Sequence, residues 1–244
     1  MISIQHLYKT YGSKEVLNNI SIEFQPGVIH GIVGKNGAGK TTFFKCIAGL
    51  EAYRGTIQCD LHPLKDYLGY LPTDPYFLSK ITGREYLRLL LNARDLKVAD
   101  FDVKNIFELP LDQYADTYST GMKKKLALSA LLMQNNQVFI LDEPFNGVDI
   151  QSNILINEII LRLRSLGKTV ILSSHIFSSL EDTCDHIHLL DEGRFLKSVD
   201  KDDFHLLEQE LKHVMVGKSI DWIGSVGRLI IIASAVRNYF FGSV

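Results

Sequence analysis

Apolar and polar residues alternate in two segments near the start of the chain. The apolar positions of these segments are Ile2, Ile4, Leu7, Ile20, Ile22 and Phe24. A period of two is typical of half-buried strands, so we expect antiparallel strands that form a small β layer. Residues 28–33 are then a compact run rich in β-branched side chains that ends at Gly34, and residues 40–50 have helical spacing. This part of the chain is therefore predicted to run from strand through loop to helix.

The middle of the chain changes to a helical pattern, from about residue 73 to residue 135. Thr82 and Glu85 have the spacing of a capping box ahead of an apolar helix face. Strand patterns return at residues 138–141 and 169–172 with a helix-length segment between them, as in a parallel α/β sheet. We predict an α/β domain over residues 1–215 with a helical subdomain inserted at about residues 73–135. Residues 216–244 form a tail of unknown role.

Composition and charge limit the classes of protein to which the chain can belong. The 244 residues carry a formal charge of −2, so there is no basic field of the kind that collects nucleic acid, and we expect no nucleic-acid partner. Three cysteines without paired spacing fit a reducing compartment better than a disulfide framework. The first residues do not have the pattern of a signal peptide, and no apolar run approaches the roughly 20 residues that cross a bilayer. We expect a cytoplasmic location and a membrane link only through a partner.

The segment GKNGAGKT, at residues 34–41, has the spacing of a phosphate-binding loop. Its glycines let successive backbone N–H groups converge on phosphate oxygens, and the following helix directs its positive end to the same anion. Lys40 adds a mobile positive charge, and the Thr41 hydroxyl is suited to bind Mg²⁺. The alternative, a glycine turn without a ligand, is disfavoured by the position between strand and helix. The candidate binding residues are Gly34, Lys35, Asn36, Gly37, Ala38, Gly39, Lys40, Thr41 and Thr42.

Two carboxylates follow the apolar run at residues 138–141. Asp142 and Glu143 stand where a buried strand is predicted to end beside the phosphate loop. Asp142 fits a partner of Mg²⁺, and Glu143 is placed to orient a water molecule for attack on the γ-phosphate. A solvated Asp-Glu-Pro turn is the alternative interpretation, which the phosphate loop disfavours.

Two further segments make a family resemblance specific. YSTGMKKKL, at residues 118–126, precedes LDEPFNGVD, at residues 141–149, and this order resembles that of the ATP-binding-cassette (ABC) ATPases. The resemblance covers roughly residues 1–200. It implies an α/β phosphate-loop NTPase core of the ABC type, with an N-terminal antiparallel β layer and an inserted helical subdomain, that binds ATP and Mg²⁺ and works as a head-to-tail dimer.

The resemblance also implies roles for single residues. Ser119 and Gly121 align with the signature motif that binds the γ-phosphate held by the opposing subunit, although Ser119 alone also fits a helix N-cap with the three following lysines on a solvated face. Asp149 aligns with an aspartate at the dimer interface and fits an N-cap equally well. His175 resembles the histidine that hydrogen-bonds the γ-phosphate, and Tyr11 resembles the aromatic residue that stacks on adenine.

The sequence departs from the family pattern at Thr73. A glutamine that contacts Mg²⁺ and couples to the membrane domain usually stands at this position. A hydroxyl can reach the metal through water, but its shorter arm weakens direct binding. The candidate metal-binding residues are therefore Thr41, Asp142 and Thr73, and the departure bears on coupling more than on ATP binding.

The function implied by the resemblance is that of an ATP-hydrolysing subunit of an ABC transporter. It powers substrate movement, with export favoured, through a separate membrane-spanning subunit at the inner face of the cell membrane. Its second partner is another nucleotide-binding subunit, either an identical copy or a paralogue. Two alternatives stay open, a regulatory cassette with little turnover and a soluble ABC ATPase outside transport.

Overall fold

The computed structural model describes residues 1–97 and 100–208 and divides the chain into two units, Met1–Lys201 and Asp202–Val244. The predicted tail at residues 216–244 lies outside the described residues. The strands are β1 (Ile2–Tyr11), β2 (Lys14–Phe24), β3 (Ile29–Val33), β4 (Arg54–Cys59), β5 (Leu68–Leu71), β6 (Val138–Asp142), β7 (Thr169–Ser174), β8 (His186–Asp191) and β9 (Arg194–Asp200). The helices are α1 (Lys40–Ile47), α2 (Gly83–Asn92), α3 (Thr120–Met133), α4 (Ile150–Ser165) and α5 (Ser178–Glu181).

The alternating segments form the predicted antiparallel layer, with strand order β2-β1-β4. Ile2 pairs with Phe24 and Ile4 with Ile22, so the apolar residues of the two strands meet on one face. These side chains join one apolar core with Phe43 and Phe44 of α1 and with buried residues of the second sheet. The antiparallel layer therefore covers the helix that follows the phosphate loop.

The second sheet has the strand order β5-β6-β7-β3-β8-β9, and all of its pairs are parallel except β8 with β9. Every residue of β3, β6 and β7 is buried, which explains why their sequences are continuous apolar runs rather than alternating ones. Because parallel strands end at the same edge, the segments after β3, β5, β6 and β7 meet there. The site forms at this edge.

The insert contains α2 and α3 rather than one continuous helical region. Thr82 caps α2, and both bonds of the predicted capping box with Glu85 are present. Between the two helices, the described residues form turns and one short 3₁₀ segment, Ala115–Thr117. None of the described helices combines the length and apolar character that crossing a membrane requires.

Candidate active site

The phosphate loop connects β3 to α1 and needs glycine for steric reasons at two positions. A Cβ on Gly34 would overlap the carbonyl oxygen of Leu190, and one on Gly39 would crowd the Leu17 side chain. Gly39 also has a left-handed φ of 109° and stands immediately before the first residue of α1. The backbone can therefore turn sharply into the helix, whose first N–H groups remain available to an anion.

A cavity of about 480 Å³ opens above this loop. Its lining combines one predicted basic residue, both predicted carboxylates, three threonines and the candidate histidine. The lining residues are Lys14, Val16, Asn36, Gly37, Ala38, Gly39, Lys40, Thr41, Thr42, Thr73, Asp142, Glu143, Asn146 and His175. The phosphate loop, Thr73 beyond β5, the end of β6 and the residue after β7 thus line one cavity.

The Lys40 ammonium lies within the loop. Its Nζ donates to the carbonyl oxygen of Gly34 at 2.6 Å and to that of Lys35 at 3.4 Å, and stands 3.5 Å from Glu143 Oε1. The Lys35 side chain takes no part in this cluster, because its ammonium pairs with Asp191 at 2.9 Å. Lys40 is therefore the cation that the loop presents to the cavity.

Asp142 accepts three hydrogen bonds from hydroxyl groups. Thr41 Oγ1 and Thr73 Oγ1 donate to its Oδ2 at 2.6 and 2.9 Å, and Ser173 Oγ donates to its Oδ1 at 2.7 Å. The Asp142 side chain is fully buried, and charge-assisted bonds of this kind offset the loss of water. The three predicted metal-binding residues thus form one cluster of oxygen atoms.

Glu143 has a positive φ of 52°, which is uncommon for a residue other than glycine. Its backbone N–H donates to Ser173 Oγ at 3.0 Å, and its Oε2 lies 2.9 Å from His175 Nδ1. The carboxylate is nearly buried, whereas the His175 side chain is 42% exposed. Glu143 is therefore fixed at both ends, and His175 is the more accessible member of the pair.

Tyr11 stands beside the lined cavity rather than in it. Its ring is 44% exposed, and the Lys9 ammonium lies 4.6 Å from the ring centroid while it also pairs with Glu51 at 2.8 Å. Partial burial and a hydrogen bond with Glu51 raise the pKa of the Tyr11 hydroxyl, while a bond with Thr42 opposes the rise. The contact with Thr42 connects this ring to the phosphate loop.

Ser119 and Gly121 lie at the start of α3, away from the cavity lining. Ser119 Oγ accepts from the Met122 N–H at 3.2 Å, so the serine is the N-cap of α3. A Cβ on Gly121 would stand 2.7 Å from the Gly147 carbonyl oxygen, which shows that α3 approaches the chain after β6 closely. The structure does not bring the signature residues to the phosphate loop of the same chain.

Asp149 is the N-cap of α4, as one of its two predicted roles requires. It accepts from the Ser152 N–H at 2.8 Å and lies 3.4 Å from the Lys125 ammonium. These hydrogen bonds with Ser152 lower the pKa of Asp149 to about 2, and Lys125 adds to the effect. The carboxylate stays ionised at neutral pH and, like Ser119, stands outside the cavity lining.

Sequence reasoning missed two side chains that hold the site together. The alternative interpretation of Lys123, Lys124 and Lys125 as a solvated face is wrong for Lys124, which is 1% exposed and bonds to the residues after β6. Helical spacing from Gly121 contained this information, because positions three apart share a face. Ser173 carried no such signal, since all of β7 is buried.

A family model described as ABC transporter matches residues 17–146. The chain belongs to the ABC transporter family. It is 33% identical to the bacitracin transport ATP-binding protein BcrA of Enterococcus faecalis, over 84% of this chain and 71% of that protein. It is 30% identical to the lantibiotic transport ATP-binding protein SrtF of Streptococcus pyogenes, over 86% of this chain and 95% of that protein.

Solved structures agree with this assignment. An ATP-binding subunit of an ABC transporter has a TM-score of 0.73 at 26% identity, covering 83% of this chain and 91% of that chain. A dimeric ATP-binding cassette bound to ADP and Pi has a TM-score of 0.75 at 19% identity, covering 82% and 99%, and so shares the fold. The predicted family and fold class are confirmed, and the chain is an ATP-binding, ATP-hydrolysing ABC transporter subunit.

Proposed function

We propose that the chain binds ATP with Mg²⁺ in the cavity above the phosphate loop, and that a second nucleotide-binding subunit closes the site. The observation that carries the proposal is the convergence of Lys40, Asp142, Glu143 and His175 on one cavity. Backbone N–H groups of the loop and the Lys40 ammonium bind the β- and γ-phosphates, and the phosphates take the place of the carbonyl contacts that Lys40 makes. Tyr11 stacks on adenine with the ring face opposite Lys9.

The oxygen cluster around Asp142 supports a Mg²⁺ site. The Asp142 carboxylate and the two threonine hydroxyls that donate to it are hard oxygen donors of the kind that Mg²⁺ prefers. Asp142, Thr41 and Thr73 would hold the ion, and Ser173 keeps the carboxylate oriented. A bound Mg²⁺ would supply positive charge that offsets the charge of the phosphates.

Glu143 is the residue that orients and polarises the attacking water. Its carboxylate stands 3.5 Å from the Lys40 ammonium and 2.9 Å from His175 Nδ1, so it lies beside the position expected for the γ-phosphate. His175 hydrogen-bonds the γ-phosphate, because its side chain lines the cavity and is 42% exposed there while its Nδ1 contacts Glu143. Together they position the water rather than supply a covalent intermediate.

A second nucleotide-binding subunit supplies Ser119 and Gly121 from the start of its α3. These residues cannot serve the loop of their own chain without a large rearrangement, because they pack against the segment after β6. In a head-to-tail dimer, identical or with a paralogue, each site takes a phosphate loop from one chain and an α3 N-terminus from the other, and Asp149 lies at the interface. The dimeric cassettes of the same fold support this arrangement.

The dimer drives a separate membrane-spanning subunit from the cytoplasmic face of the membrane. The relatives named for bacitracin and lantibiotic transport support export as the direction. Thr73 lines the cavity and stands at the start of the insert, the part of the chain on which the membrane subunit docks, so its bond to Asp142 links metal binding to coupling. The domain comprises residues 1–215, with the helical subdomain at about 73–135.

The test is steady-state ATP hydrolysis by the purified chain and by Glu143→Gln, with dimer formation followed by size-exclusion chromatography in ATP and Mg²⁺. The parent turns over, and the variant binds ATP, loses at least about 100-fold in rate and accumulates as a dimer. The control is Glu158→Gln, an exposed residue of α4, which retains parental turnover. A parent that dimerises on ATP without turnover would favour the regulatory cassette, and the absence of both binding and dimerisation contradicts the proposal.

A further inference from the structure

A lysine is buried in α3 with its charge in the protein interior. Lys124 is 1% exposed, and its ammonium donates at 2.7 Å to the carbonyl oxygen of Glu143 and at 2.7 Å to that of Asn146. Both acceptors belong to the segment that follows β6, which we call the acidic turn and define as residues 143–146. One side chain from the insert thus binds both ends of the turn that carries Glu143.

The direct acceptors of this charge are neutral carbonyl groups. Burial lowers the pKa of the Lys124 ammonium, and the nearby carboxylates of Asp74, Glu143 and Asp142 oppose this effect. A buried ion is expensive to keep, so packing of α3 against the core does not by itself account for a lysine here. The two carbonyl groups of the acidic turn do, because each would lose its donor if an apolar residue replaced Lys124.

The acidic turn has a conformation that needs support. Glu143 has a positive φ of 52°, and the Asn146 N–H donates to the Glu143 carbonyl oxygen at 3.2 Å. The same carbonyl oxygen accepts from Lys124, so its direction is fixed by two donors. Because the carbonyl and the side chain share one Cα, a rotation of this peptide would displace the Glu143 carboxylate from Lys40 and His175.

We propose that Lys124 is a positioning residue for ATP hydrolysis, which acts by holding the acidic turn so that the Glu143 carboxylate points into the cavity. The inference rests on the proposed role of Glu143. Lys124 is not among the residues that line the cavity, so it acts through Glu143 and not on the nucleotide. It also joins α3, whose first residues are offered to the other subunit, to the catalytic turn of its own chain.

The test compares Lys124→Met, Lys124→Gln and Lys124→Arg with the parent. Turnover is expressed per site that binds a fluorescent ATP analogue, and unfolding is followed by heating. The Met variant lacks both hydrogen bonds, so kcat falls about 10- to 100-fold while KM for ATP changes less than about threefold. The Arg variant keeps charge and donors and recovers most of the rate, and the Gln variant keeps donors without charge and lies between them.

The control is Lys104→Met, the same chemical change at an exposed lysine outside α3. Within the described parts of the chain, the Lys104 ammonium makes no hydrogen bond or ion pair, so kcat stays at the parental value. If Lys124→Met does not fold, Lys124→Gln decides: a lower kcat at constant KM supports the inference, and a parental kcat overturns it.

The outcomes separate this inference from the proposed function. An active parent with parental kcat in the Lys124 variants refutes only the positioning role. A lower unfolding temperature with unchanged turnover per site assigns Lys124 to stability alone and also refutes it. A parent that binds ATP but does not hydrolyse it at any concentration of Mg²⁺ would remove the proposed catalytic role of Glu143, and the inference fails with it.

Discussion

At the scale of single residues, hydrogen bonds with hydroxyl groups hold Asp142 and Glu143 in place. The Ser173 hydroxyl donates to the Asp142 carboxylate and accepts from the Glu143 N–H, so one hydroxyl holds both members of the acidic pair. Neither Asp142 nor Ser173 has measurable exposure to solvent. Water therefore cannot replace the hydroxyl, and each lost bond would leave a buried polar group without a partner.

Ser173→Ala is expected to destabilise the fold and slow the reaction. It leaves Asp142 Oδ1 and the Glu143 N–H without their partner, which lowers the free energy of unfolding by about 2 kcal/mol. The turnover number falls about tenfold, because the two carboxylates lose their common support. Denaturant unfolding and steady-state ATPase assays measure the two effects.

The control for this substitution is Ser3→Ala. Ser3 is also nearly buried, but among the residues that the structure describes its hydroxyl has one contact, a long 3.5 Å one with Glu23 in the antiparallel layer. This variant loses less than about 1 kcal/mol and keeps full turnover. Equal losses in the two variants would contradict the special role of Ser173.

At the scale of elements, the N-termini of α2, α3 and α4 are capped by side chains that can be identified from the sequence. Thr82 begins α2, Ser119 begins α3 and Asp149 begins α4, and each accepts a hydrogen bond from an N–H in the first turn. Of these three caps, Thr82 is the one that has no proposed contact with the nucleotide or with a second subunit. A substitution at Thr82 therefore tests the contribution of capping to stability alone.

Thr82→Ala removes the acceptor for the Glu85 N–H and breaks the capping box at the start of α2. The free energy of unfolding is expected to fall by about 1 kcal/mol, with turnover per folded molecule unchanged. Urea unfolding monitored by circular dichroism measures the first quantity. Thr82→Ser keeps the hydroxyl and should stay within about 0.5 kcal/mol of the parent; a serine variant as unstable as the alanine one would argue against the cap.

At the scale of the whole molecule, the two sheets meet around a pair of neutral histidines. The His30 Nε2–H points to the Gln25 carbonyl oxygen at 3.4 Å, and the 3.2 Å contact with His188 and the 2.8 Å contact of His188 with Ser198 complete a chain. One proton per imidazole satisfies every contact in this chain. Burial lowers the pKa of His30 to about 4 and that of His188 to about 3.

These histidines predict acid sensitivity of the fold. The unfolded chain takes up protons near pH 6.5, whereas the folded chain does not until the pH is far lower, so stability is present above pH 6.5 and is lost as the pH falls below it. The expected loss is up to about 1.4 kcal/mol per pH unit for each imidazole. Denaturant unfolding at pH 7.5 and 5.5 measures it.

His30→Phe provides the comparison, because the His30 ring packs edge-on against Phe24 at 5.0 Å and stacks on His186 at 5.3 Å, contacts that a phenyl ring can also make. Removing one of the two groups should roughly halve the dependence of stability on pH between these values. A dependence equal to that of the parent would assign the acid sensitivity to other groups. His186, at the surface beside Asp200, stays unchanged in this variant.

The sequence predicted those features whose information is local. The phosphate loop, the acidic pair and the caps at Thr82 and Ser119 each depend on residues a few positions apart, and the structure contains the predicted strands and helices around them. The contact of Ser173 with Asp142 joins two neighbouring strands, β7 and β6, and the pattern of a fully buried strand does not reveal which residues face the site. The turns between α2 and α3 were not predicted for a similar reason, because their conformation depends on packing against other parts of the chain.

The position of β3 has a consequence for synthesis of the chain. Its two neighbours in the sheet are β7 and β8, which the ribosome makes long after β3 itself. A nascent chain that ends at β6 contains the whole phosphate loop, yet the strand that supports the loop has no partner on either side. Contacts so distant along the chain form slowly, and unpaired strand edges favour aggregation in the interval. The phosphate loop is thus among the first parts of the site to be translated, and the site around it is among the last to be completed.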